Sequence, residues 1–132
     1  MNKFYYPAVF QIEEEGGYSI SFPDIIGCNT QGEDIEECYY MATSALGLIL
    51  TDYLSNKIEF PKASTPNSIV LEDNQFVVLI AFDMLDYLKK NESKAVKKTL
   101  SIPSWLNEAA IEHNINFSQV LQEALKEILN IN

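Results

Sequence analysis

The chain has 132 residues, enough for one domain or two small ones, and its 47% apolar content is ordinary for a globular protein. Nine lysines, no arginine and nineteen acids leave a net charge of −10. That balance disfavours nucleic acid over most of the surface and suits a basic partner or simple solubility. Two cysteines and one histidine cannot assemble a zinc set from one chain, so both thiols are expected free.

The longest apolar run, 76–82, falls far short of the ~20 residues that span a bilayer. The first residues, Met-Asn-Lys-Phe-Tyr-Tyr-Pro, lack the apolar core of a signal peptide. A cytoplasmic location is expected. The charge is unevenly placed: residues 1–93 hold 15 acids and 5 lysines, whereas residues 94–132 hold 4 of each.

Residues 3–11 read as a strand whose Pro7 indicates an edge position or a bulge. Glu13-Glu14-Glu15-Gly16-Gly17 is a turn with two glycines available for positive φ. Tyr18, Ile20 and Phe22 alternate with Ser19 and Ser21 and form the second strand of a hairpin. Residues 23–32 are a structured loop, extended in part. Asp34 then caps a long helix, with Glu37 three residues on as in a capping box. Its buried face is read as Ile35, Cys38, Tyr39, Ala42, Ala45, Leu46, Ile49 and Tyr53. Residues 55–68, with Pro61 and Pro66, are a loop. Strands are expected at 69–71 and 75–82, then one or two helical turns at 83–90. Lys89-Lys90-Asn91-Glu92-Ser93-Lys94 is a polar hinge, which places a boundary between residues 1–93 and 94–132. The first part is thus an α+β arrangement, β-β-α-β-β, with one long helix on one face of a small antiparallel sheet.

After the hinge, Val96, Leu100 and Ile102 share one parity and Lys97, Thr99 and Ser101 the other, which argues a short half-buried strand. Pro103 ends it and suits the first turn of a helix. Leu106, Ala109, Ala110 and His113 share a face of that helix. Asn114 is fit to take a left-handed conformation at its end, and Asn116 to cap a second helix. There Phe117, Val120, Leu121, Ala124, Leu125, Ile128 and Leu129 form a stripe of period 3.6. A lone strand with unpaired edges is unstable. Its simplest partner is the same strand of a second copy, which gives a two-stranded ribbon around a two-fold axis.

This tail resembles the ribbon-helix-helix DNA-binding family. The resemblance implies that Lys97, Thr99 and Ser101 read bases in the major groove of operator DNA. It also implies that Asn116, Phe117 and Ser118 dock the second helix on a phosphate. Val96, Leu100, Ile102, Leu121 and Leu125 are expected in the shared core of a homodimer. The use of the helical hairpin for dimerisation alone is the alternative.

The earlier stretch Tyr-Ser-Ile-Ser-Phe-Pro-Asp-Ile-Ile-Gly-Cys at 18–28, followed by Thr30-x-Gly32 and Ile35-Glu36-Glu37, is similar to the HicB antitoxin family. That resemblance implies a partial RNase H-like fold and a basic, RNA-cleaving HicA-like toxin as partner. Tyr18, Phe22, Asp24, Glu33 and Asp34 are the residues expected to touch the toxin. An RNase H-like fold raises the question of metal-dependent cleavage, which needs several carboxylates converging on rigid strands. Here the acids fall in a turn, a loop and a helix start, where capping and the helix dipole account for them. His113 reads as a packed or interfacial side chain. No catalytic residue, cofactor or metal is therefore expected. The chain reads as an antitoxin that also represses its own operon. A free-standing repressor with a ligand-sensing N-terminal domain and a degenerate RNase H-like enzyme are the competing readings.

Overall fold

The structure, a computed structural model, describes residues 3–132. Met1 and Asn2, part of the stretch read above for a targeting signal, lie outside the described residues. The chain divides into two compact units, Met1–Lys94 and Ala95–Asn132.

The first unit contains β1 (Lys3–Ile12), β2 (Tyr18–Ser21), β3 (Asn29–Gly32), α1 (Ile35–Ser55), a short 3₁₀ turn (Pro66–Ser68), β4 (Gln75–Asp83) and α2 (Met84–Asn91). The strands form one antiparallel sheet in the order β3-β2-β1-β4. The hairpin between β1 and β2 closes through Gly16 and Gly17, both at positive φ. Two expectations need correction. Residues 69–71 are not a strand: the Ile69 N–H bonds back to the Pro66 carbonyl, so that backbone is spent on a local turn. A third strand instead lies within the loop expected at 23–32, where Asn29–Gly32 pairs with β2. The order is therefore β-β-β-α-β.

The inward parity of β1, Tyr6, Ala8 and Phe10, meets Ile20, Ile80 and Phe82 from the neighbouring strands. Cys38, Ala42, Leu46 and Leu50 of α1 close the core above them. Each large apolar side chain buried in this way contributes about 1.5–3 kcal/mol. Most of the stripe expected on α1 faces the core: Cys38, Ala42 and Leu46 are buried, and Ala45, Ile49 and Tyr53 pack against it. Ile35 is 46% exposed and Tyr39 is 36% exposed, while Gly47 and Leu50 point inward.

Gly47 is buried where α2 packs on α1. A Cβ there would lie 2.2 Å from the Tyr87 ring, so the missing side chain lets α2 approach α1. Gly47→Ala is expected to destabilise the unit by about 1–3 kcal/mol through overpacking, despite alanine's better helix propensity. A thermal melt checks this; an unchanged or higher Tm would mean that Tyr87 swings aside freely.

Pro7 shows how the sheet accommodates a proline. β1 is an interior strand, yet β2 pairs only with its residues 9–12. The Ile12 N–H points to the β4 side, where it meets the Asn74 carbonyl at 2.8 Å. Alternation along the strand then turns the Pro7 nitrogen to the β2 side, where no strand asks for an N–H. The expected edge position is thus met locally.

The second unit holds α3 (Ser104–Glu112) and α4 (Phe117–Leu129). Asn114, at φ 55°, turns the chain between them. The Asn116 side chain accepts the Gln119 N–H at 3.0 Å and so caps α4. Asn130 at φ 57° ends it, with the Ile131 N–H returned to the Lys126 carbonyl. Residues 95–103 form no helix or strand. The short strand expected at 96–102 is therefore absent from the single chain, which offers it no strand to pair with.

Candidate functional site

Two surfaces carry the residues singled out from the sequence. The first lies where the β1–β2 turn, β3 and the start of α1 meet. The Asp34 side chain accepts the Glu37 N–H at 2.8 Å, and the Glu37 carboxylate reaches back to the Glu33 N–H at 3.4 Å. This is a capping box displaced by one residue. It fixes the carboxylates of Asp34 and Glu37 at the positive end of α1, with Glu33 beside them. Opposite them, Glu13 is held by the Ser19 hydroxyl at 2.6 Å and the Gln11 amide at 3.1 Å. Between the two lies an open concavity of about 450 Å³, lined by Glu13, Glu15, Glu33 and Glu37 together with Tyr18 and Ser19.

The potential of this cluster reaches inward. Burial first, then Glu37, Asp34 and Glu33, raises the pKa of the Cys38 thiol. Cys28, free like Cys38, is pushed by burial to about 11. Both thiols are thereby kept protonated and unreactive.

Of the residues expected to touch a partner, the structure brings Tyr18 and Glu33 to this rim. Asp34 adjoins it but spends one oxygen on its cap. Phe22 is 4% exposed and belongs to the core, so it presents almost no surface. Asp24 lies apart, tied to the Ser64 hydroxyl and to the Ser64 N–H at 2.9 Å. Glu13, Glu15 and Glu37 are not among the residues expected to touch a partner. Their convergence depends on β3 drawing the helix start back beside the hairpin turn, a pairing invisible in sequence spacing.

The second surface is an apolar face of the Ala95–Asn132 unit. None of residues 95–132 is buried in the single chain. Leu100, Ile102, Phe117, Val120, Leu121 and Ala124 line a cavity of about 490 Å³, with Lys98 and Ser118 also at its walls. Three of the five residues expected in a shared core, Leu100, Ile102 and Leu121, meet there. Val96 is 88% exposed and Leu125 47% exposed, and neither lines the cavity. Lys97, Thr99 and Ser101 are exposed.

Among the described residues, no three His, Cys, Asp or Glu side chains are grouped to hold a metal, and no helix is long and apolar enough to cross a membrane.

These features define a two-unit α+β protein, a helix-backed antiparallel sheet with an acidic rim followed by a helix pair with an uncovered apolar face. The family described as HicB-like antitoxin of bacterial toxin–antitoxin systems matches residues 5–89. The chain belongs to that family. Antitoxin HicB 1 of Photorhabdus laumondii is 41% identical over 56 residues, which cover 42% of this chain and 36% of that relative. The matched stretch is thus little more than a third of the relative's length. A chain of a toxin–antitoxin complex from Streptococcus pneumoniae aligns with a TM-score of 0.62 and 30% identity, over 95% of this chain and 98% of that one. The antitoxin HicB of Burkholderia pseudomallei shares the fold at a TM-score of 0.56 and 19% identity, over 96% and 98% of the two chains.

Proposed function

We propose that this antitoxin binds and neutralises a basic, HicA-like ribonuclease toxin through residues 1–93, and represses its own operon through residues 94–132. Family membership supports the antitoxin role, and the observation that carries the division of labour is the contrast between the two surfaces. One unit has a closed core and a carboxylate-lined rim. A basic partner is steered to such a rim and charge-paired on it. The other unit cannot bury its apolar face alone, so a second copy must cover it. In that dimer the segments at 96–102 pair as a two-stranded ribbon, which presents Lys97, Thr99 and Ser101 to the major groove of operator DNA. The Asn116-capped start of α4, with Phe117 and Ser118, offers free backbone N–H groups to a phosphate. A partial RNase H-like fold, kept as a scaffold without catalysis, and a cytoplasmic location complete the reading.

The test is a gel-shift titration on DNA from upstream of the gene. Changing Lys97 and Thr99 to Ala is expected to cost about 1–3 kcal/mol per lost base contact while the dimer persists. Operator affinity equal to that of the parent protein would remove the ribbon assignment.

A further inference from the structure

The sheet ends in two unlike edges. The β3 edge is four residues, Asn-Thr-Gln-Gly. The β4 edge is nine residues, and its centre, 76–82, carries no charge, proline or glycine. Those are the devices that ordinarily blunt an exposed edge. Among the described residues of its unit, β4 pairs only with β1.

The ladder identifies the open groups. The Gln75 N–H turns away from β1 to the Glu72 carbonyl, and the Ala81 N–H turns away to the Tyr39 hydroxyl at 3.0 Å. Alternate residues of a strand point the same way, so the N–H groups of Val77 and Leu79 lie in that same outward row. Neither has a hydrogen-bond partner among the described residues. The Leu79 side chain, 45% exposed, stands beside them.

We infer that β4 accepts an extended segment of a basic partner as a fifth strand, an apolar stretch flanked by lysine or arginine. Charge selects this occupant over a second copy. Acids stand at both ends of the edge, Glu72 and Asp73 before β4 and Asp83 at its end. Two copies paired antiparallel about a two-fold axis would bring the Glu72 end of each against the Asp83 end of the other, twice over. Like charges facing each other across strands destabilise a pair. Basic flanks would instead meet an acid at each end, while the main-chain groups of Val77 and Leu79 supply the pairing. This inference rests on the toxin reading and specifies how the toxin is gripped.

The experiment is amide hydrogen exchange on the full chain, alone and with a purified HicA-like toxin. The Val77 and Leu79 amides are expected to exchange freely in the unbound chain and to slow by about a hundredfold or more in the complex. Leu79→Pro removes only an outward N–H and leaves the β1 ladder its bonds. It is expected to weaken toxin binding by about tenfold or more, whereas Leu79→Val keeps the N–H and stays within about twofold. Circular dichroism establishes that both variants are folded, and the exchange result needs neither of them. Toxin that binds while both amides still exchange freely overturns the strand addition and leaves the toxin reading intact. Protection in the unbound chain that grows with its concentration assigns the edge to a second copy and overturns the basic partner. Absence of any toxin binding removes the toxin reading itself, and this inference with it.

Discussion

Leu121→Asp is expected to abolish both dimerisation and operator binding. Leu121 lies on α4 and lines the cavity with Leu100, Ile102 and Phe117. The unit it belongs to, Ala95–Asn132, buries no residue in the single chain. Units below ~40 residues rarely hold a fold without a disulfide, a metal or a second copy. Neither cysteine lies in this unit, and among its described residues no metal-holding group is present. On the reading proposed above, dimerisation supplies the stability. A carboxylate at position 121 would then be carried into an apolar interface without a partner. By two-fold symmetry this happens twice, at a cost of several kcal/mol per ion. That outweighs what a small helix pair gains on association. Light scattering should report a monomer and gel shift no complex, while the melt of the first unit stays as it was. A variant that remains dimeric and still retards operator DNA would place the shared core elsewhere.

What the sequence made legible divides along a physical line. Features whose determinants are local were readable. Asp34 with Glu37 and Asn116 at the start of α4 are fixed by a side chain meeting backbone within a few residues, and Asn114 at the turn by its own tolerance of positive φ. Features whose determinants are distant were not. β3 reads Asn-Thr-Gln-Gly, polar and without alternation, and is a strand only because β2 pairs with it. Ile69, Val70 and Leu71 have strand composition but no neighbour to bond, and Val70 is 95% exposed. The burial of Gly47 depends on Tyr87, forty residues further on.

The same rule governs the sites. The acids at the helix start were readable, whereas Glu13 and Glu15 join them through tertiary pairing. Phe22 looked like a contact because the motif around it is distinctive, but its parity with Tyr18 and Ile20 carries it into the core. Residues 96–102 alternate like a strand but find no strand to pair with in the single chain, and so form none there.

A fragment ending at Lys94 is expected to fold, to bind the toxin and to restore growth to cells that express the toxin, yet to leave operator DNA unshifted. Its core closes on itself: every residue of the cluster, from Phe4 to Leu88, precedes the end of the first unit. Removing residues 95–132 therefore opens no cavity in that core. The fragment retains 15 acids against 6 lysines, and the carboxylates around the concavity remain fixed by the Asp34 cap and by Ser19. Association with a basic toxin should thus survive and should depend on salt. The Debye length falls from about 10 Å at 0.1 M to about 3 Å at 1 M, which screens the exposed carboxylates at the rim but not a main-chain ladder. Affinity measured by calorimetry should fall by about tenfold or more across that range without vanishing. Binding that ignores salt would remove the acidic rim from the interface. A folded fragment that neither binds nor rescues growth would move neutralisation to the Ala95–Asn132 unit, where avidity would have to supply it.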